Sequence, residues 1–241
     1  MLQFELSDQI AETTGIKILV YSQAGIGKTV LCCTAPKPII ISAESGLLSI
    51  QRKNLVRLFG ESNPHITYSV PVLRVTNMME LNQAYTWVKA NCKNGDFSTV
   101  CIDSLTELAE VCLSNIKITV KDGRKQYGDL LEEMNVIIRN FRDLPINVYM
   151  SCKLQRTVLA NGAQTVNQPL MPGRQLTQSL PFLFDEVFHF VVARTNEGQE
   201  YRALQTQPDF ETEAKDRSGC LETLEVPDLT AIIEKIKQTE G

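Results

Sequence analysis

The sequence predicts an α/β fold in which a mostly parallel central sheet carries helices on both faces and an antiparallel hairpin at one edge. Short apolar runs alternate with longer segments of helical periodicity, and they lie at residues 17–21, 39–41, 99–102 and 146–150. That alternation is typical of a parallel sheet joined by crossover helices. An Asn-Glu-Gly turn at 196–198 separates two later apolar runs and indicates the edge hairpin.

Local patterns place the remaining elements. Apolar residues recur at helical spacing in four segments, at 47–58, 78–91, 105–118 and 127–141, and a short terminal helix is expected at 227–236. Further strands are expected at 72–75, 187–193 and 201–205. We find no convincing domain boundary, and therefore expect a single domain over 1–241, with 1–15 as an N-terminal extension and 227–241 as a C-terminal helical segment.

Composition excludes several classes of protein. The chain has 241 residues, of which 43% are apolar and 22% are charged, with a net charge of −4. An acidic chain of this kind contacts nucleic acid only through a local patch. The seven cysteines include no Cys-x-x-Cys pair, which favours reduced thiols. Neither a signal-peptide pattern nor an apolar run of about 20 residues is present, so a cytoplasmic protein without a membrane segment is expected.

A phosphate-binding loop is predicted between the first strand and the helix that follows it. Its residues are Ser22, Gln23, Ala24, Gly25, Ile26, Gly27, Lys28, Thr29 and Val30. The pattern G-x-x-x-x-G-K-[ST] is met except that Ser22 replaces the first glycine. Such a loop turns backbone N–H groups towards phosphate oxygens, while Lys28 reaches the β- and γ-phosphates and the Thr29 hydroxyl binds Mg²⁺. ATP with Mg²⁺ is therefore the expected ligand.

Two acids follow buried strands and are expected near the triphosphate. Asp103 ends the run at 99–102, and an acid at the carboxyl end of a central strand lies where ligands bind. We predict that Asp103 holds the magnesium; the alternative is that it only caps the next helix, although Ser104 could be the cap. Glu44 ends the second strand and could polarise an attacking water, or could be a surface acid at a turn.

These segments together resemble the RecA/RadA recombinase core, and most closely the compact phage RecA-like ATPases of the single-strand annealing group. The similarity covers roughly 17–220, and it makes the expected domain a RecA-like ATPase. Residues 41–44, Ile-Ser-Ala-Glu, match a family motif of the type I-D-A-E with serine for the aspartate, so the resemblance implies that Glu44 is the catalytic glutamate. Residues 100–104 match the second acidic motif, and Ser151 stands where RecA has a glutamine.

The resemblance also implies a site completed by a neighbouring subunit. Lys215-Asp216-Arg217 is similar to the Lys-x-Lys or Lys-x-Arg motif whose cations reach the neighbour's triphosphate in this family. Lys215 and Arg217 are therefore expected to stabilise charge on the γ-phosphate in a ring or filament of identical subunits. The alternative is a solvated loop of mixed charge.

Residues 153–175 lie where RecA-like proteins keep a mobile DNA-binding loop. The charged residues of this stretch, Lys153, Arg156 and Arg174, are all cationic, and 144–184 contains no Asp or Glu. A nucleic acid strand could lie there without meeting fixed negative charge. We predict that these three residues bind single-stranded DNA; the alternative is a polar flap over the nucleotide or against a neighbour.

The resulting prediction is a Mg²⁺-dependent RecA-like ATPase that assembles on single-stranded DNA and supports phage recombination or annealing, in the host cytoplasm if phage-encoded. Two alternatives from other classes remain. One is a small-molecule kinase, although a kinase lid usually carries arginines and 153–175 offers only Arg156 and Arg174. The other is a nucleotide-dependent switch or loader for a replication protein.

Overall fold

A computed structural model describes residues 14–44, 46–158 and 165–238. The strands are β1 Lys17–Ser22, β2 Pro38–Ser42, β3 Val72–Arg74, β4 Thr99–Asp103, β5 Asn147–Val158, β6 Thr165–Pro169, β7 Glu186–Arg194, β8 Glu200–Gln205, β9 Lys215–Asp216 and β10 Leu224–Glu225. The α-helices are α1 Lys28–Cys32, α2 Arg52–Phe59, α3 Met78–Asn91, α4 Leu105–Thr119, α5 Gly123–Arg142, α6 Arg174–Ser179 and α7 Leu229–Gln238. Short 3₁₀ turns occupy Leu47–Ile50 and Leu180–Leu183.

The described strands form one twisted sheet in the order β10-β8-β7-β1-β5-β4-β2-β3. The pairs from β3 to β7 along this order are parallel, whereas β8 and β10 add antiparallel strands at one edge. The register sets Ser22 beside Lys153 and Ser42 beside Asp103. The carboxyl ends of β1, β5, β4 and β2 therefore lie together along one side of the sheet, its carboxyl edge, which is where α/β sheets bind ligands.

Helices cover both faces of the sheet and bury an apolar core on each, and a third, smaller cluster packs Leu55 of α2 against Cys33 and Ile66. Apolar side chains of α3, α4, α5 and α6 pack on one face, and those of α1 and α7 pack on the other. The C-terminal helix is also tied to the end of α1 by hydrogen bonds. The Leu229 amide donates to the Thr34 hydroxyl at 2.9 Å, and the Thr230 hydroxyl donates to the Thr34 carbonyl at 2.6 Å.

The predicted fold class is confirmed: the sheet is mostly parallel, has helices on both faces and carries the antiparallel β7–β8 hairpin towards one edge, where β10 is the last strand. Two element boundaries were wrong. The helix expected at 47–58 is broken at Gln51, whose extended backbone separates a 3₁₀ turn from α2. The helix expected at 127–141 begins earlier, as α5 at Gly123, because the Asp122 carboxylate accepts from the Lys125 amide at 2.9 Å and caps the helix.

The described parts of the polar stretch at 153–175 are mostly strand. Strand β5 runs on to Val158 and pairs antiparallel with β6, so that Leu154 lies opposite Pro169 and Val158 opposite Thr165. The β-branched residues near the far ends of both strands favour this pairing. The Asn161-Gly162 pair in the same stretch of sequence predicts a turn, but this pair and residues 1–13 of the predicted N-terminal extension lie outside the described residues.

Two further expectations concern thiols and membranes. All seven cysteines are free, and all but Cys220 are buried. Burial raises the pKa of Cys33 and of Cys152 to about 12, which keeps these thiols protonated at neutral pH. Of the helices in the described part of the chain, none has the length and apolar character needed to cross a membrane.

Candidate nucleotide site

The phosphate loop joins β1 to α1 at the carboxyl edge of the sheet. Gly25 and Gly27 have φ angles of 78° and 120°, a region that side chains other than glycine rarely adopt. Ser22 is fully buried at the end of β1, and its backbone lies outside that left-handed region. Serine is therefore compatible with the first position of this loop, whereas the backbone angles of Gly25 and Gly27 require glycine.

Lys28 lies within the loop and donates to three of its oxygens. Its Nζ is 3.1 Å from Ser22 Oγ, 3.3 Å from the Ser22 carbonyl and 3.2 Å from the Gln23 carbonyl. Burial lowers the pKa of Lys28, and the nearby carboxylates of Asp103 and Glu44 oppose that shift. Ser22, which replaces the first glycine of the pattern, thus contributes two of the three oxygens that accept hydrogen bonds from Lys28.

Asp103 connects the loop to two neighbouring strands. The side chain is 3% exposed; Oδ2 accepts from the Thr29 hydroxyl at 2.6 Å and Oδ1 accepts from the Ser151 hydroxyl at 2.5 Å. The cap of α4 is Ser104, whose side chain accepts from the Glu107 amide. Asp103 therefore does not cap this helix, and capping does not explain why its carboxylate is buried.

The Thr29 hydroxyl and the Asp103 carboxylate are the hard oxygen donors that Mg²⁺ prefers, and they lie together beside the phosphate loop. Across the described residues, no three His, Cys, Asp or Glu side chains are grouped to hold a metal ion. The donor set therefore fits a Mg²⁺ ion that takes its other ligands from phosphate and water, as this ion commonly does.

Glu44 points into the same cleft and is held by two serines. The Ser104 hydroxyl donates to Glu44 Oε1 at 2.6 Å, and the Ser42 hydroxyl donates to the Glu44 carbonyl at 2.6 Å. The serine that replaces the family aspartate thus closes the turn that carries the glutamate. One carboxylate oxygen is oriented by Ser104, an arrangement that suits a group positioned to activate a water.

The cleft above the loop has a volume of about 440 Å³ and is lined by residues from several parts of the chain. Besides the predicted loop residues, Glu44, Asp103 and Lys153, it contains Arg57 of α2 and Arg202 of β8. Sequence analysis missed these two arginines, because no local motif marks them and only the packing of α2 and the β7–β8 hairpin brings them to the loop. Lys28 and Arg57 place positive charge in the cleft, as a triphosphate requires.

The three predicted DNA-binding cations lie in different surroundings. Lys153 lines the nucleotide cleft, where its Nζ pairs with Glu107 at 3.0 Å and Glu110 at 3.2 Å. Burial works against the charge of Lys153, but the hydrogen bonds to both glutamates raise its pKa. Arg156 lies on the β5–β6 hairpin, where its Nε donates to Asn167 at 3.2 Å. Lys153, which belongs to a stretch of sequence without acids, is thus paired in the folded chain with two acids of α4.

Arg174 begins α6 and lines a separate open cavity of about 580 Å³. Gln155, Thr157 and Gln168 of the β5–β6 hairpin line the same cavity. Arg174 and the outer half of the hairpin therefore share one polar surface, which includes neither Lys153 nor Arg156. Arg156 lines a different cavity, together with Asn167 and His189.

Lys215 and Arg217 lie near the amino edge of the sheet, where the parallel strands β1 and β7 begin. Strand β9 pairs with the amino end of β7, where Asp216 faces Glu186 and Glu186 in turn lies beside Ile18. Four residues of β1 separate that level from Ser22, a distance of roughly 13 Å. Lys215 donates to the carbonyls of Pro181 and Phe184, and Arg217 pairs with Asp185 at 2.7 Å.

Glu186, at this amino edge, is a buried acid with an incomplete set of partners. It is 1% exposed, and among the described residues no group donates to its Oε2. Burial, with Asp216 and Asp185 nearby, raises the pKa of Glu186 to about 8. A carboxyl whose folded pKa is raised stabilises the fold fully below its unfolded pKa of about 4.5, and that contribution is lost as the pH rises through about 8.

Replacing Glu186 with glutamine should therefore remove a pH-dependent loss of stability. We expect the Tm of the wild-type chain to fall by roughly 8–16 °C relative to Glu186→Gln between pH 5 and pH 9, corresponding to about 4 kcal/mol. Thermal unfolding followed by circular dichroism at several pH values measures this difference. Glu197→Gln, in an exposed turn, is the matched control. Parallel pH profiles for Glu186→Gln and the wild type would show that Glu186 is ionised in the folded state.

The loop, its lysine and the paired Thr29 and Asp103 define a P-loop nucleotide-binding domain. The chain belongs to the AAA domain family, whose model matches residues 14–218, and it is a nucleotide-binding ATPase domain of that family.

Among solved structures, the chain is similar to the KaiC-like protein PH0186 from the hyperthermophilic archaeon Pyrococcus horikoshii OT3. The identity is 13%, the TM-score is 0.41, and the alignment covers 79% of this chain and 77% of that one. A search of curated proteins found no match.

Proposed function

We propose that this chain is an ATP-hydrolysing RecA-like protein that acts on single-stranded DNA in phage recombination or annealing. The observation that carries the proposal is the course of β5. Ser151 on this strand donates to Asp103 at 2.5 Å, Lys153 lies in the nucleotide cleft, and Arg156 lies three residues further out on the polar hairpin. One strand therefore links the acid expected to hold Mg²⁺ to the surface expected to bind DNA.

The residues of the cleft are arranged for hydrolysis. The loop amides and Lys28 would hold the β- and γ-phosphates, and Thr29 and Asp103 would hold the magnesium. When bound, Mg²⁺ neutralises charge on the phosphate oxygens. Glu44, oriented by Ser104, would take a proton from the attacking water. Exclusion of bulk water from this cleft would strengthen each of these interactions.

A neighbouring subunit would supply the remaining cation. Arg217 is too far from the phosphate loop of its own chain to act there, since it lies near the opposite edge of the sheet. Its pair with Asp185 is exposed, with 60% of the arginine side chain accessible, and pairs of this kind contribute only about 0–1 kcal/mol. Arg217 could therefore exchange Asp185 for a neighbour's γ-phosphate at little cost. Lys215 is less free, because two backbone carbonyls hold its Nζ.

The kinase and the switch or loader remain as alternatives. A kinase places its acceptor next to the γ-phosphate, yet the cavity at Arg174 shares no lining residue with the phosphate cleft. A switch or loader would bind the nucleotide in the same way but hydrolyse it slowly, whether or not DNA is present. Stimulation of hydrolysis by DNA therefore separates the recombinase from both.

Single-stranded DNA should stimulate ATP hydrolysis by the full-length chain at least about tenfold, and the effect should fall steeply with salt. The double variant Arg156→Gln/Arg174→Gln should lower this stimulation at least about fivefold, because it removes two potential phosphate contacts. Phosphate release with and without a DNA oligonucleotide, alongside the mass in solution, measures both effects.

Lys89→Gln/Lys93→Gln, which removes two exposed cations outside the hairpin surface, is the control for net charge. Hydrolysis and assembly that do not respond to DNA, together with phosphorylation of a small acceptor, would overturn the recombinase assignment in favour of a kinase.

A further inference from the structure

A second, smaller cavity opens directly beside the phosphate cleft. Its volume is about 130 Å³, and most of its lining is apolar, contributed by Ile26, Leu58, Phe59, Phe190 and Pro227. The two cavities share four lining residues, among them Gly27 of the loop. A ligand whose phosphates rest on the loop can therefore extend into this slot.

The slot offers few polar groups to a ligand. Thr34 at its base is already engaged: its hydroxyl donates to the Leu31 carbonyl at 2.8 Å and accepts from the Leu229 amide at 2.9 Å. The Thr34 carbonyl accepts from Thr230. Among the described side chains that line the slot, Arg202 is then the remaining polar one.

Arg202 lies where the slot meets the phosphate cleft. Its guanidinium reaches the loop so closely that a Cβ added to Gly27 would lie 3.6 Å from Nη1. No hydrogen bond or ion pair joins Arg202 to the rest of the described chain. A planar cation without a partner, beside an apolar slot, is suited to stack on an aromatic ring system.

We propose that the slot seats the base of the bound nucleotide, with Arg202 stacked on the ring, and that the site accepts purine nucleoside triphosphates with little discrimination between bases. This inference rests on the proposed nucleotide-binding function and names the substrate class of that site. A dry apolar cavity of about 150 Å³ is enough to hold a benzene ring. The slot, at about 130 Å³, is slightly smaller but opens into the cleft, so one ring of a purine can enter it while the other occupies the opening that the two cavities share.

The lining determines the selectivity. A pocket that reads a base through hydrogen bonds rejects the wrong ligand by about 10⁴–10⁵-fold, whereas an apolar pocket discriminates by only about 10–200-fold between ligands that differ slightly in shape. In this slot the side chains offer no acceptor for the adenine amino group and, apart from Arg202, no donor for the guanine carbonyl. We expect ATP and GTP to bind within about tenfold of each other.

The test is a titration of the full-length chain with Mg²⁺ and three ligands: non-hydrolysable analogues of ATP and GTP, and inorganic tripolyphosphate. The two nucleotides should bind within about tenfold of each other, and each at least about tenfold more tightly than tripolyphosphate. Leu58→Ala and Arg202→Met should each weaken both nucleotides about 5–20-fold and leave tripolyphosphate unchanged. Leu48→Ala, at a leucine that is 72% exposed and lines neither cavity, is the matched control.

Each other outcome has a distinct meaning. A preference for one purine above about 1,000-fold, or equal affinity for tripolyphosphate and nucleotides, would overturn the base slot while leaving the phosphate site in place. An Arg202→Met variant that loses tripolyphosphate as strongly as nucleotide would overturn the stacking role and make Arg202 a phosphate ligand. Failure of all three ligands to bind would remove the proposed nucleotide function itself, and the base slot with it.

Discussion

Glu44→Gln is expected to lower ATP turnover at least about 100-fold while ATP affinity changes little, because general-base assistance contributes about 10²–10⁴-fold to such reactions. Glutamine keeps the size of the side chain and can still accept from the Ser104 hydroxyl, which is 2.6 Å from Glu44 Oε1 in the wild type. The charge and the ability to take a proton are lost. Single-turnover hydrolysis and equilibrium nucleotide binding measure the two quantities separately.

The control for this variant is Glu61→Gln, at an exposed glutamate for which the structure gives no contact with the cleft. It should leave turnover and affinity as they are in the wild type. Normal turnover by Glu44→Gln would exclude Glu44 as the base. Loss of binding as well as turnover would mean that Glu44 acts on the bound nucleotide or its metal.

A mixture of Lys28→Met and Arg217→Ala chains is expected to recover ATPase activity that neither chain has alone. Lys28 and Arg217 lie near opposite edges of the sheet, so a site built across an interface takes the lysine from one chain and the arginine from the next. In a head-to-tail assembly mixed equally, roughly one interface in four joins an intact Lys28 to an intact Arg217. We therefore expect recovery of about a quarter of wild-type turnover, measured against the mixing ratio.

The matched control is a mixture of Lys28→Met with Glu44→Gln. Both lesions lie on the phosphate-loop side of the site, so no arrangement of the two chains rebuilds a complete site. Absence of recovery in both mixtures would refute the role of Arg217 across the interface. Full activity of Arg217→Ala alone would refute it too.

The overall fold could be predicted from sequence because each central strand is a short apolar run and each crossover helix has its own periodicity. The bounds predicted for α3 at 78–91 agree with the structure. The errors arose where a single residue overrides the pattern. Gln51 adopts an extended backbone within an apolar series of helical spacing, and a glutamine gives no sequence signal that a helix is interrupted there.

The nucleotide site likewise contains residues that the sequence predicts and residues that it does not. The loop, Glu44 and Asp103 each follow a strand, so the rule that carboxyl ends of parallel strands share an edge brings them together. Arg57 and Arg202 come from elements that reach the cleft only through tertiary packing, so sequence gives no sign of them. The surroundings of Lys153 were missed for the same reason: its stretch of sequence has no acids, yet Glu107 and Glu110 of α4 face it.

The helix behind the phosphate loop has five residues, Lys28–Cys32, and no side chain caps its start. A helix of that length does not persist in water on its own. Its order comes instead from the apolar core it shares with α7 and from the bonds that join Thr34 to Leu229 and Thr230. The helix that carries the phosphate loop is consequently supported by the C-terminal helix, whose Leu229 is 195 residues from Thr34 in sequence and lies beyond the stretch matched by the family model.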